Sequence, residues 1–148
     1  MIKKFEGEHE FLSNLFISTF IHNGIKYKSV AHAFYSLKCK NLDDRIRIRE
    51  IKDVKEAIRE SKKVPIVDTW QVECRNVMKE LIRQKFENPF LMPRLLETNE
   101  QWLGDGKNFV GEILMEIRDE FRNKSTQVSR SCFTKVEMFR HPDLGGAP

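Results

Sequence analysis

The chain predicts a mainly α fold with a minor β and loop part at its N-terminus, closed into one compact domain. Three observations predict it. Apolar residues recur at helical spacing in successive segments after residue 29. The residues before that lack the period and carry an Asn23-Gly24 hairpin-type signal instead. No repeat or linker interrupts the chain, and 148 residues are enough to bury a full core without stapling.

Residues 5–28 predict loops with one or two short strands, Phe20-Ile21 and Ile25-Lys26-Tyr27 flanking the turn His22-Asn23-Gly24. Ser29 reads as the N-cap of a helix over about Val30–Lys40, with Phe34, Leu37 and Cys39 near the core. Asp53 predicts the cap of another, with Val54, Ala57 and Ile58 as its buried stripe. Asp68 predicts the cap of a longer helix to about Phe86, whose apolar positions are Cys74, Val77, Met78, Leu81 and Ile82. Asn88-Pro89 predicts a short helix carrying Phe90, Leu91 and Leu95, with proline at its first position. The last predicted helix runs from about Phe109 to Phe121, with Phe109, Ile113, Leu114, Ile117 and Phe121 inward. Periodicity fades beyond Asn123. A domain over 1–123 and a polar extension over 124–148, packed in part and frayed at Gly145–Pro148, are the expected organisation.

Composition bounds the function. The three cysteines, Cys39, Cys74 and Cys132, form no C-x-x-C or His/Cys cluster, so neither a disulfide framework nor a zinc site is indicated. Free thiols in a cytoplasmic protein are expected, with no apolar run of signal-peptide or membrane-span type. The net charge of +4 is matched by a local excess of +4 between Lys38 and Lys63, ten Lys/Arg against six Asp/Glu. That segment reads either as a phosphate-facing surface or as a solvated helix face laced with ion pairs.

Four patches carry candidate chemistry. Phe11-Leu12-Ser13-Asn14 sets polar side chains between aromatics, so Asn14 must satisfy its amide with local backbone or with a ligand. In Ser29–Lys38, the position just inside the cap favours a carboxylate, which complements the helix dipole, yet Ala31 stands there. His32 lies about 100° further round, so only one of the two need face a ligand, while Lys38 returns to nearly the Ala31 face two turns on. Trp70, in the first turn of its helix, reads as core or as a stacking platform for a base. Trp102-Leu103-Gly104-Asp105-Gly106-Lys107-Asn108 leads into a helix with Gly111 in its first turn, a turn-rich segment fit for a diphosphate or ribose but without Walker spacing.

In this order the patches resemble the NADAR domain family, also called YbiA-like N-glycosidases. The resemblance runs from Phe5 to Arg118 through Phe-Leu-Ser-Asn at 11–14, Gly24, Tyr27, Ser-Val-x-His-Ala-Phe at 29–34 and Lys38. It continues with Trp70, Met78, Lys85-Phe86-x-Asn88-Pro89, Leu95-Leu96-x-Thr98, Trp102, and Gly106-x-Asn108-x-x-Gly111-x-x-Leu114-Met115-x-x-Arg118. It implies a compact, mainly helical NADAR/YbiA-like fold and hydrolysis of a ribosyl N-glycosidic bond. The implied substrates are ADP-ribose derivatives such as ADP-ribosylated guanine, free or in nucleic acid, or ribosylamino-pyrimidine phosphates. No metal or organic cofactor is implied.

Breaking that bond develops oxocarbenium character at the anomeric carbon, which a nearby carboxylate stabilises. The resemblance then implies Trp70 as base wall, Lys38 with Gly106, Lys107 and Asn108 at phosphate, and Asn14 with Asn108 on ribose hydroxyls. Ser13, Tyr27, His32, Phe34, Trp102 and Gly111 complete the expected binding set. The chain departs from the pattern twice: the motif's catalytic glutamate position is Ala31, and the acidic position three before the second tryptophan is Asn99. Asp105, Glu97 and Glu100 are the candidate substitutes. Ala31 has two explanations, a glutamate exchanged to trap substrate or a natural protein that sequesters a nucleotide uncut. A nucleic-acid-binding module using the basic 38–63 segment is the alternative of another class.

Overall fold

In the computed structural model, backbone is described for residues 1–104 and 109–139, and side chains through 124 within those ranges. A 3-10 helix, Gly7–Leu12, leads to the hairpin of β1 (Phe20–His22) and β2 (Ile25–Tyr27), followed by six helices. These are α1 (Val30–Lys38), α2 (Leu42–Glu50), α3 (Val54–Ser61), α4 (Trp70–Phe86), α5 (Met92–Leu96) and α6 (Phe109–Phe139). Asn23 and Gly24, at φ 51° and 80°, turn the hairpin in the left-handed region that Asn-Gly adopts at low cost. The register pairs Phe20 with Tyr27 and His22 with Ile25, and His22 Nδ1 lies 2.9 Å from Gln84 Oε1, tying the hairpin to α4.

The main core is built where α1, α4 and α6 bring together Val30, Phe34, Leu81, Ile82, Ile113, Leu114 and Ile117. A smaller cluster of Cys39, Ile48 and Ala57 seats α2 and α3 against α1. On the outer side of α4 and α6, Glu116 reaches Arg75 at 2.6 Å and Lys79 at 3.0 Å, and Glu120 reaches Lys79 and Arg83 at 2.9 Å. Hydrogen bonds from these cations hold the Glu116 and Glu120 carboxyls below the usual carboxylate range. No helix among the described residues is long and apolar enough to cross a membrane.

Several boundaries differ from the sequence expectation, each for a local reason. α2 was not expected: its only buried residue is Ile48, so it shows almost no apolar stripe. α4 starts one residue after Thr69, and Asp68 makes no cap, pairing with Lys40 at 3.6 Å. Asp53 stands at the N-cap of α3 without a side-chain cap bond. Asn88-Pro89 forms a side-chain turn, with Asn88 Oδ1 accepting from Phe90 N at 2.8 Å, and the helix begins only at Met92. Phe90 is exposed, and Phe109 is partly exposed rather than inward. α6 continues to Phe139, beyond the expected end at about Phe121. Gly145–Pro148, expected to fray, lie outside the described residues.

The basic 38–63 segment falls largely on α2 and α3 and is laced with acids. Glu60 takes both Arg47 at 3.2 Å and Lys63 at 2.7 Å, and Arg49 pairs with Glu50 at 3.5 Å. That is the pattern of a solvated, ion-paired face.

Candidate functional site

The site begins at the N-terminus of α1. Ser29 is extended (φ −155°, ψ 166°), and its Oγ accepts from His32 N at 3.1 Å. The first turn contains no acid. Its Ala31 amide instead donates to the Asn14 carbonyl at 3.0 Å, so a loop carbonyl meets the amide that a first-turn carboxylate would otherwise complement.

The Asn14 loop is fixed from below. Ser13 O accepts from Lys85 Nζ at 2.8 Å and from Phe16 N at 3.2 Å, while Ser13 Oγ accepts from Leu15 N at 3.1 Å. The Asn14 amide donates to Met78 Sδ at 3.3 Å, and its Oδ1 is buried with no hydrogen-bond partner among the described residues. Neither half of the amide is satisfied by backbone, which leaves a pairing deficit of the kind that marks polar groups held for another purpose.

Asn14 and Ala31 open onto one cleft of ≈ 420 Å³, whose remaining described wall includes Phe34, Tyr35, Cys74, Met78 and Phe109. That is ample for a small ligand's ring system. Tyr35 lies four residues after Ala31 on the same helix face, a spacing that could have identified it from the sequence. Its ring meets Phe34 edge-on, with centroids 5.2 Å apart at 88°. Burial raises the Tyr35 phenol above its ordinary range, so it is a neutral hydroxyl at physiological pH.

Other expected site residues lie elsewhere. His32 is fully buried, with Nε2 2.8 Å from the Ile51 carbonyl and Nδ1 2.8 Å from Ser29 Oγ. A carbonyl only accepts, so Nε2 carries the proton and Nδ1 accepts from the serine hydroxyl. Burial depresses the His32 pKa and favours this neutral form. His32 is a structural tie between α1 and the chain after α2, and it is not among the residues lining the Ala31 cleft. Removing the shared hydroxyl breaks both the cap and the imidazole bond, so Ser29→Ala is expected to lower stability by about 2 kcal/mol, read from the urea midpoint.

Trp70 lines a second cleft of ≈ 370 Å³ with His22, Arg45 and Glu73. Its ring lies 4.9 Å from Phe34 and is almost wholly buried, because the first turn of α4 faces the core. Tyr27 is also buried, against Phe20 at 6.1 Å. Lys38 Nζ stands 5.6 Å from the Tyr35 ring centroid, outside the Ala31 cleft wall. Trp102 is half exposed and contributes its carbonyl to Ile2 N at 2.8 Å. Gly111 is a packing residue: a Cβ there would lie 2.2 Å from the Leu103 carbonyl oxygen.

Of the expected substitute acids, Glu97 lines a separate cleft with Arg94 and Thr98, and Glu100 pairs with Arg122 at 2.6 Å. Neither reaches Ala31. Asn99, where an acid was expected, sits at φ 54°, a conformation asparagine tolerates well. Asp105, Gly106, Lys107 and Asn108 lie outside the described residues.

No protein-family model matches the chain, and no curated protein matches it. Among solved structures it is similar to the NMR structure of the Escherichia coli protein YbiA, with a TM-score of 0.76 and 23% identity over 84% of this chain and 85% of that one. The arrangement of a short hairpin, α1 and the packed long helices is therefore the YbiA-like fold.

Proposed function

We propose that the Ala31 cleft is the ligand site of an N-glycosidase-type scaffold and that the chain, as it stands, holds its ligand without cutting it. The ligand is an ADP-ribosyl nucleotide, such as ADP-ribosylated guanine, or a ribosylamino-pyrimidine phosphate. One observation carries this reading: the Ala31 methyl lines a ligand-sized cleft whose described wall contains no carboxylate. The ordered motifs and the YbiA-like fold support the scaffold.

Hydrolysis of a ribosyl C–N bond needs a group that stabilises positive charge at the anomeric carbon and orients water. A methyl group does neither. Its small volume leaves room for the ligand that a longer acid would contact. Ala31→Glu is therefore expected to introduce release of free base, with a gain of about 10²–10⁴-fold over the Ala31 chain. The check is chromatographic detection of base from ADP-ribosyl and ribosylamino substrates, beside equilibrium binding of the same compounds to the Ala31 chain. A glutamate variant inactive on every substrate, together with an Ala31 chain that binds none, would overturn the proposal.

A further inference from the structure

The cleft's described wall holds no Lys, Arg, His, Asp or Glu. Its polar groups are the Asn14 amide, the neutral Tyr35 hydroxyl and the Cys74 thiol. Among the described residues, then, the wall offers a phosphate no cation, and burial of a phosphate without one is strongly unfavourable. Lys38 lies over the Tyr35 ring but is not among the residues of the wall. What the wall does offer is flat and soft. Phe34 and Tyr35 meet at a right angle, presenting a ring face beside a ring edge. Met78 adds a polarisable sulfur, which packs well on aromatic edges.

Asn14 gives this apolar corner a direction. Its amide has a thioether on one side, a weak acceptor, and no partner on the other among the described residues. A side-chain amide pairs bidentately with an adjacent acceptor and donor on a base edge, as it does with adenine. Turning onto such an edge replaces the sulfur contact and gives Oδ1 its missing donor.

We infer that the Ala31 cleft takes the uncharged, planar end of the ligand, a purine or pyrimidine base read by the Asn14 amide, with ribose and phosphate directed outward. This rests on the proposed ribosyl-ligand site and assigns its inner end. It also moves the base-stacking role from Trp70, which lines the other cleft, to the Phe34–Tyr35 corner.

The test follows the methyl signals of Ala31 and Met78 by carbon-13 NMR of the full chain during titration with guanosine, adenosine, ADP-ribose and ribose 5-phosphate. At least one nucleoside and ADP-ribose are expected to shift both methyls, and ribose 5-phosphate neither. Asn14→Leu is expected to weaken nucleoside binding about tenfold, and the milder Tyr35→Phe severalfold, with unchanged methyl dispersion in the free protein. Ribose 5-phosphate shifting the methyls as strongly as the nucleosides would overturn the inference. So would ADP-ribose binding with both methyls silent, a result that leaves the ribosyl-ligand proposal standing. Nucleosides that shift the methyls, joined to an Ala31→Glu chain that releases no base and gains nothing from ribosyl phosphate, would sink the proposed function and keep the base assignment. No response to any of the four compounds overturns the inference and leaves the proposed function to the Ala31→Glu assay.

Discussion

Gly111→Ala is expected to cost about 3 kcal/mol, at the upper end of what overpacking a tight contact normally costs. The added carbon would meet the Leu103 carbonyl oxygen at 2.2 Å, its carbon at 3.0 Å and Gly104 Cα at 3.3 Å, all backbone atoms. They cannot swing aside as a side chain would. The segment is held on both flanks by main-chain bonds of 2.8 Å, from Ile2 N to Trp102 O and from Gly104 N to Ile2 O. Either α6 withdraws from that segment or the link to Ile2 breaks. Gly24, at φ 80° with nothing within 4 Å of an added Cβ, supplies the contrast, and Gly24→Ala should lose only about 1 kcal/mol through its backbone conformation. Urea unfolding of the two variants measures the gap. Equal losses would show that α6 shifts freely, contrary to this account.

The second large effect is a pH dependence centred on Lys85. The side chain is 1% exposed, donates to Ser13 O, and has the Phe16 and Phe86 rings 5.5 and 5.0 Å from its Nζ. Burial pulls its pKa down to about 7 from an ordinary 10.5. In the unfolded chain Lys85 keeps its proton up to about pH 10.5, whereas the folded protein sheds it above about 7. Between those values the unfolded state binds more protons, so stability rises with pH. Below pH 7 the full penalty of a buried ammonium remains, on the order of 5 kcal/mol at the ordinary conversion of 1.36 kcal/mol per pH unit. Lys85→Met keeps most of the volume and removes the charge. It is expected to be more stable than the parent at pH 6.5 and to lose the rise between pH 7 and 9.5 that the parent shows. Unfolding free energies at three pH values decide it; the same slope in both proteins would exclude Lys85 as the source.

Much of the fold was legible because strong local signals agreed with the packing. Asn23-Gly24 set the hairpin, Ser29 capped α1, and Leu81, Ile82, Ile113, Leu114 and Ile117 are all fully buried as their spacing predicted. α2 was invisible because Ile48 alone faces inward, and one residue makes no period. Of the candidate site, the sequence placed Ala31, Phe34 and Asn14 in neighbouring patches, and these three do share a cleft. His32, Trp70 and Gly111 carried the same motif weight, and the contacts described for each are with the protein's own core and backbone. Spacing along a helix reports which face a residue occupies, and only tertiary contacts report what that face meets. His32 illustrates this through Ile51, nineteen residues away, whose carbonyl claims the imidazole.

The bond from Ala31 to Asn14 joins two main chains, so the identity of residue 31 has no part in it. Position 31 is thus a socket in which chemistry can be exchanged while the architecture persists. A single codon step there could exchange the cleft-facing side chain while this main-chain bond stays in place. Its neighbour His32 has no such freedom, being bonded through its ring at both ends. Adjacent residues on one helical turn therefore meet different demands: one lines the cleft, the other ties the scaffold together.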